Sequence, residues 1–308
     1  MYRENEREVG EEALREEVGE SGLQGQDLLQ RLTALKRYQE ALFCDYIKSE
    51  EVVKCINAYN LESVFGRILD CGSYLVFRKY LLSGDIELTK ANFCKKYKLC
   101  PFCCWRRALQ LINAYSKKLE RVDWPFIPVL VTLTVQHKRG ECLHTVLHRL
   151  MQAWRRMLGR RRLGYSEFTK AIGGVSCIEV TWGENGWHPH MHCVFLLQDY
   201  IVQEKLSREW SQVSSGAKIV GVKLIRDWLD GAWEVFAYVG KFSKMPPERL
   251  VEFYLSTQGL HFVNPFGVLR GVKVDEDVDN GIEGPYIELF YRWLDTCYVQ
   301  FAELELQG

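Results

Sequence analysis

At 308 residues and 36.0 kDa the chain is long enough for one large domain or two modest ones, each with a buried core. A hydrophobic content of 47%, including 13% aromatic residues, excludes wholesale disorder. A mean hydropathy of −0.19 and the lack of any apolar run of about 18 residues predict no membrane span.

The 40 basic and 40 acidic residues cancel in total but are segregated along the chain. Residues 1–20 hold eight acidic and three basic side chains, and residues 274–308 hold nine acidic residues against Arg292 alone. Between them, residues 94–123 hold eight basic and two acidic residues, and residues 137–170 hold nine and two. The middle of the chain is thus suited to a polyanion. The start, Met1-Tyr2-Arg3-Glu4-Asn5-Glu6, has no apolar signal core, so a cytoplasmic location is expected. Eleven cysteines, an odd number without a secretion signal, favour metal binding over a disulfide framework.

In chain order, residues 1–25 read as a charged flexible tail. From Asp27 to about Asn60, Leu28, Leu29, Leu32, Leu35 and Tyr38 recur at helical spacing, opening a helical region that extends over 26–123. It carries cysteines from Cys71 to Cys104 and ends in a helix over Trp105–Glu120. The stretch Trp124-Pro125-Phe126-Ile127-Pro128 breaks the pattern and begins a second domain, 124–248. Its first strand is Val129–Val135, with Val129, Val131, Leu133 and Val135 on one face and Thr132 and Thr134 on the other. A basic amphipathic helix is predicted from Leu143 to about Leu158, and Arg156 and Arg160 stand off its apolar stripe. Strands Val175–Trp182 and His190–Leu197 flank Gly183-Glu184-Asn185-Gly186, a hairpin signal. A weaker strand, Lys218–Ile225, precedes a helix from Trp228 to Lys244 that Pro246-Pro247 stops. Residues 249–308 form an acidic, aromatic extension suited to a protein partner.

Three of the seven histidines fall in Trp187-His188-Pro189-His190-Met191-His192. On a strand, His190 and His192 project from one face. A two-residue turn at Asn185-Gly186 sets Glu179 opposite His192 and Thr181 opposite His190, so a carboxylate joins two imidazoles. This donor set suits an open divalent-metal site, with His188 as rival third ligand. Downstream, Glu234, Tyr238 and Lys241 share one helical face. A phenol with its pKa near 10 is a weak nucleophile until a metal polarises its target or a base takes its proton. Lys241 is placed to stabilise phosphate charge.

Cys100-Pro101-Phe102-Cys103 closes a small chelate loop suited to tetrahedral Zn²⁺. Cys94 precedes it, and Cys71 is the favoured fourth ligand over Cys55. Cys104 competes with Cys103, although adjacent side chains diverge. Arg106 and Arg107 then open a basic helix suited to DNA phosphates. Cys142, Cys177, Cys193 and Cys297 show no chelating spacing and read as core.

These stretches together resemble the replication initiator (Rep) proteins of small rolling-circle plasmids, in the HUH endonuclease superfamily. Val131-Thr132-Leu133-Thr134 is similar to the family's first motif, Trp187 to His192 to its metal motif, and Glu234 to Lys241 to its nucleophile motif. Phe93-Cys94 through Cys100 to Arg107 is similar to the cysteine-rich segment of one subgroup; Cys104 departs from it, standing where a polar residue is more usual.

The resemblance implies an α+β fold: a central antiparallel sheet of about five strands flanked by helices, with an N-terminal helical zinc-binding region. It also implies metal-dependent nicking of single-stranded origin DNA. Tyr238 would form a 5′-phosphotyrosine and free a 3′-OH, and Mg²⁺ or Mn²⁺ would be held by His190, His192 and a third ligand. Glu234, one turn before the tyrosine, would activate water for the terminating cleavage. The expected partners are origin DNA, a host helicase and other replication proteins, with a plasmid-borne gene in a prokaryotic host. The rival readings are a single-tyrosine transposase or relaxase, and a non-catalytic zinc-containing nucleic-acid-binding protein.

Overall fold

The computed structural model of the chain describes residues 25–123, 125–218, 220–236, 245–274 and 284–306. The expected tail falls almost wholly outside them, as do Tyr238 and Lys241. The fold is α+β, with antiparallel sheets of four and five strands. The chain divides into two compact units: residues 1–110 with 275–308, and residues 111–274.

In the first unit, helices α1 (Gly25–Lys48), α2 (Glu50–Ala58) and α3 (Glu62–Asp70) precede strands β1 (Tyr74–Tyr80) and β2 (Ile86–Ala91). Helix α4 (Pro101–Leu119) begins here. The sheet is completed from the far end of the sequence. Strand β8 (Tyr286–Leu294) pairs antiparallel with β1, from Tyr74↔Arg292 to Tyr80↔Tyr286, and β9 (Cys297–Leu306) pairs with β8, giving the order β2-β1-β8-β9. Thus the stretch read as helical also contains two strands, and part of the acidic extension is sheet. The C-terminal strands are held by specific bonds as well as by the ladder. The Tyr298 hydroxyl donates to the Gly72 carbonyl at 2.6 Å, and Arg37 Nε of α1 donates to Thr296 O at 2.7 Å.

The second unit is built on the sheet β6-β3-β5-β4-β7. Its strands are β3 (Ile127–Thr134), β4 (Ala171–Gly183), β5 (Gly186–Leu197), β6 (Val220–Leu224) and β7 (Val263–Gly267). Helices α5 (Leu143–Arg162), α6 (Gln203–Val213), α7 (Trp228–Phe236) and α8 (Pro247–Ser256) belong with it. Along β5 the odd positions Trp187, Met191, Cys193 and Phe195 are buried, while His188, His190 and His192 are half-buried on the other face. Apolar packing gathers around α5, whose Leu143, Val146, Leu147, Leu150, Trp154 and Met157 are buried at helical spacing. The Trp154 ring lies 5.7, 6.4 and 6.2 Å from Phe168, Phe195 and Phe266.

Edge strand β7 joins β4 where the β4–β5 register shifts, between Ala171 and Gly173. Gly267 sits there with φ of 60°, and a Cβ on it would overlap the Ile172 carbonyl oxygen, which already accepts from Val268 N at 3.2 Å. Gly271 has a similar φ of 73° but open space around it. Gly271→Ala is therefore expected to lose only the left-handed backbone term, about 1 kcal/mol. Gly267→Ala should lose clearly more, and thermal melts of the two variants side by side check the difference.

Two further expectations change. Cys177 and Cys193 are buried, but Cys142 and Cys297 are exposed, because they stand at the start of α5 and of β9 rather than inside the elements. The β4–β5 hairpin turns at Glu184-Asn185, not at Asn185-Gly186. The left-handed residue is Gly186 (φ 91°), which closes the ladder against Gly183 instead of occupying the turn.

Candidate functional site

The hairpin offset slides β4 against β5 by two residues relative to the expected pairing. Glu179 now faces His190, Cys177 faces His192, and Thr181 faces His188. A two-residue slip preserves the side-chain face, so the carboxylate still meets both imidazoles. Glu179 Oε2 lies 2.9 Å from His192 Nε2 and 3.6 Å from His190 Nδ1. Ligand atoms from Glu179, His190 and His192 lie within 4.8 Å of one another, a group that could hold a metal ion. The carboxylate is buried and the imidazoles are partly open. Its one oxygen and two ring nitrogens suit a divalent cation with open positions.

The histidines have outer supports. On β3, Thr132 pairs with His192, and its Oγ1 lies 3.2 Å from His192 Nδ1. With a cation at Nε2, the Nδ1 proton would donate to this hydroxyl and fix the tautomer. Sequence reading missed this contact, although the Val-Thr-Leu-Thr alternation already placed Thr132 on its face. His188 does not join the ligand group. Its Nδ1 contacts His190 Nε2, the nitrogen turned away from Glu179, and its ring meets that of His137 edge-on at 4.4 Å. Burial, followed by the neighbouring His190 and His137, holds the His188 pKa below its ordinary value.

Helix α7 packs against β5 and β4, the strands that carry the three ligand residues. Phe236 stacks on Tyr115 at 5.3 Å, and the Trp228 indole donates to Ser116 Oγ at 2.8 Å, fixing the helix at both ends. Glu234 is exposed on α7, 3.6 Å from Lys223 Nζ. The described part of the helix ends at Phe236, two residues before Tyr238.

A second group lies in the first unit. Cys71, Cys94, Cys100 and Cys103 are all buried, with their sulfur atoms within 4.8 Å of one another. Cys103 Sγ is 3.5 Å from Cys71 Sγ and 3.6 Å from Cys94 Sγ. Tetrahedral zinc with bonds of about 2.3 Å places its sulfurs about 3.8 Å apart, so the group needs little adjustment to receive it. Amide donors already point at sulfur: Cys94 N to Cys71 Sγ at 3.3 Å, and Lys96 N to Cys94 Sγ and Cys103 N to Cys100 Sγ, both at 3.5 Å. Hydrogen bonds from Cys100, Cys103 and Cys71 pull the Cys94 thiol down in pKa, while burial pushes Cys100 up. Neither Cys55 nor Cys104 is in the group. The four-sulfur and the Glu-His-His sets are the metal-competent groups among the described residues.

The four candidate DNA-contact arginines are already engaged within the fold. The Arg106 guanidinium lies 4.3 Å over Phe93, and that of Arg107 lies 5.4 Å over Tyr97. Arg156 donates to Val213 O at 3.3 Å, and Arg160 donates to Gln212 Oε1 at 2.7 Å, tying α5 to α6. Arg155, Arg156 and Arg162 are exposed on the same helix. Among the described residues no helix is long and apolar enough to cross a membrane.

Residues 85–269 match a family model described as Replication protein. Three curated relatives are each called Protein rep. One from a Bacillus species is 29% identical over 68% of this chain and 69% of its own length. One from Bacillus amyloliquefaciens is 29% identical over 47% of this chain and 44% of its own length. One from Streptococcus pneumoniae serotype 2 (strain D39) is 29% identical over 49% of this chain and 50% of its own length. No solved structure matches. The family match spans Cys94, Cys100 and Cys103, the histidine hairpin and α7, but begins after Cys71.

Proposed function

The chain belongs to the replication-protein family, the rolling-circle plasmid initiators that its motifs resemble, and from that premise we propose that it nicks single-stranded origin DNA through Tyr238. The observation that carries this reading is the joining of Glu179, His190 and His192 on the two strands against which α7 packs. Tyr238 follows the end of that helix by two residues in the sequence.

In the proposed reaction the Tyr238 oxygen attacks the scissile phosphorus. A phosphorus–oxygen bond forms to the phenol, the bond to the 3′ oxygen breaks, and the phenol proton is transferred as that oxygen leaves as a 3′-OH. The products are a 5′-phosphotyrosine and a primer end. The exchange of one phosphodiester bond for another is a transesterification, so the strand can later be rejoined. Glu179, His190 and His192 would hold Mg²⁺ or Mn²⁺, which when bound supplies Lewis-acid polarisation of the phosphate. Lys241 neutralises phosphate charge. Exposed Glu234 is the base for the water that ends the cycle. Cys71, Cys94, Cys100 and Cys103 hold structural zinc. Origin DNA and host replication proteins, a helicase among them, are the partners.

The test is a single-stranded origin oligonucleotide, with protein and Mn²⁺, resolved on a denaturing gel. A covalent adduct is expected in the wild type. In Glu179→Ala its rate should fall by about 100-fold, by the loss of one charged ligand and its orientation of His192. Wild-type adduct formation by Glu179→Ala would remove the carboxylate from the site. Binding without any adduct would instead favour a zinc-containing nucleic-acid-binding protein.

A further inference from the structure

Lysine is rarely fully buried unless its charge is paired. Lys36, on α1, has a side chain only 1% exposed. Its ammonium donates to Leu69 O at 2.6 Å and to Cys71 O at 3.1 Å. The carboxylate beside it, Glu40 Oε1 at 3.6 Å, belongs to a side chain 31% exposed and so partly in water. One turn of the same helix also carries Gln39, fully buried, whose Nε2 donates to Cys100 Sγ at 3.4 Å and contacts Ile68 O. Two successive buried polar groups of α1 that reach past α3 to two of the four cysteine residues are more than a hydrophobic packing face requires.

The charge of the cysteine group accounts for them. Four thiolates around one Zn²⁺ carry a net charge of −2, enclosed where every sulfur-bearing residue is buried. Amide N–H groups soften that charge but bring no counter-ion. We propose that Lys36 is the internal counter-ion of the zinc-tetrathiolate and that Gln39 is its adjoining sulfur donor, so that α1 is an outer wall of the metal centre. The proposal rests on the reading of the four cysteines as a zinc site. Lys36 is a positioning residue: it acts through the Cys71 carbonyl and the field at the sulfurs, not as a ligand. Docking of α1 and retention of zinc are then one coupled event. Tyr298, buried, donates to the carbonyl of Gly72, the residue after Cys71.

The test uses the full chain. Elemental analysis of the wild type reads whether zinc is present at all; a zinc-free wild type overturns the zinc reading and this inference with it. In zinc-replete protein, transfer of zinc to a chromogenic chelator is timed for wild type, Lys36→Met and Lys36→Arg. Lys36→Met is expected to release zinc about 10-fold faster or more, the usual effect of losing an outer partner of a metal site, with Lys36→Arg between the two. Its melting deficit relative to wild type should shrink once both are stripped of zinc. Unchanged release, or an equal melting deficit with and without zinc, would overturn the proposal and leave Lys36 as a cap on the carbonyls of α3. Wild-type hydrogen exchange reads the same coupling without any variant. Zinc removal should strip protection from residues 32–40 together with the segment around Cys71, and protection retained at 32–40 overturns the coupling.

Discussion

Tyr238→Phe is expected to bind the origin strand as the wild type does and to form no covalent adduct with it. Phenylalanine keeps the ring and removes only the oxygen that would join phosphorus, so the loss should be at least about 1,000-fold in adduct formation. The readout is a labelled oligonucleotide whose mobility on a denaturing gel shifts only when protein is attached. The matching variant Glu234→Ala should still give the adduct but be released from it poorly. The two side chains stand four residues apart, a spacing that puts them on one face if the helix of α7 continues. An adduct in Tyr238→Phe would place the nucleophile elsewhere in the chain.

Cys103→Ser should disable the first unit. Its sulfur lies against those of both Cys71 and Cys94, so no rearrangement of the remaining three restores a fourth soft donor. Structural zinc in small sites supplies about 10 kcal/mol or more of apparent binding energy, which the fold loses when the ion is lost. The expected result is a protein with little zinc and weak exchange protection over residues 71–104, while the strands Ile127–Thr134 and Gly186–Leu197 keep theirs. Near-normal protection at 71–104 in Cys103→Ser would mean that the four buried thiols pack as apolar groups and need no ion.

What the sequence made legible follows from how local each signal is. The alternation in Val131-Thr132-Leu133-Thr134 and in His188 to His192 depends only on neighbours, and the faces it assigns agree with the ladder pairs of β3, β4 and β5. The register needed the turn, and Asn-Gly misdirected it by two residues because Gly186 closes the ladder instead of occupying the bend. The cysteine group was readable because Cys100 and Cys103 sit one helical turn apart and the other two occur within 30 residues before them. The sheet beside it was not. Strand β1, Tyr-Leu-Val-Phe-Arg-Lys-Tyr, buries three consecutive residues and gives no clean period, and its partner β8 lies more than 200 residues away. Acidic residues near β8 and β9 also masked their strand character. Contacts such as Lys36 to Cys71 O cannot be inferred from spacing, because they depend on how three helices are stacked. The bond of Arg160 to Gln212 of α6 illustrates the same limit, since a basic residue on a helix reads as solvent-facing until a neighbouring helix is in place.

The pairing of β1 with β8 sets an order of events during protein synthesis. The unit spanning residues 111–274 is continuous, so all its strands are translated before β8. The unit around the cysteines begins first but finishes last. Until residues 286–306 emerge, β1 has β2 on one side and an open edge on the other, and Gly72 lacks the Tyr298 hydroxyl. A released chain ending near residue 280 would therefore hold every strand of the sheet bearing the histidine hairpin but only half of the other, exposed to chaperones and proteases. Any activity that depends on both units would be held back until residues 286–306 had been made.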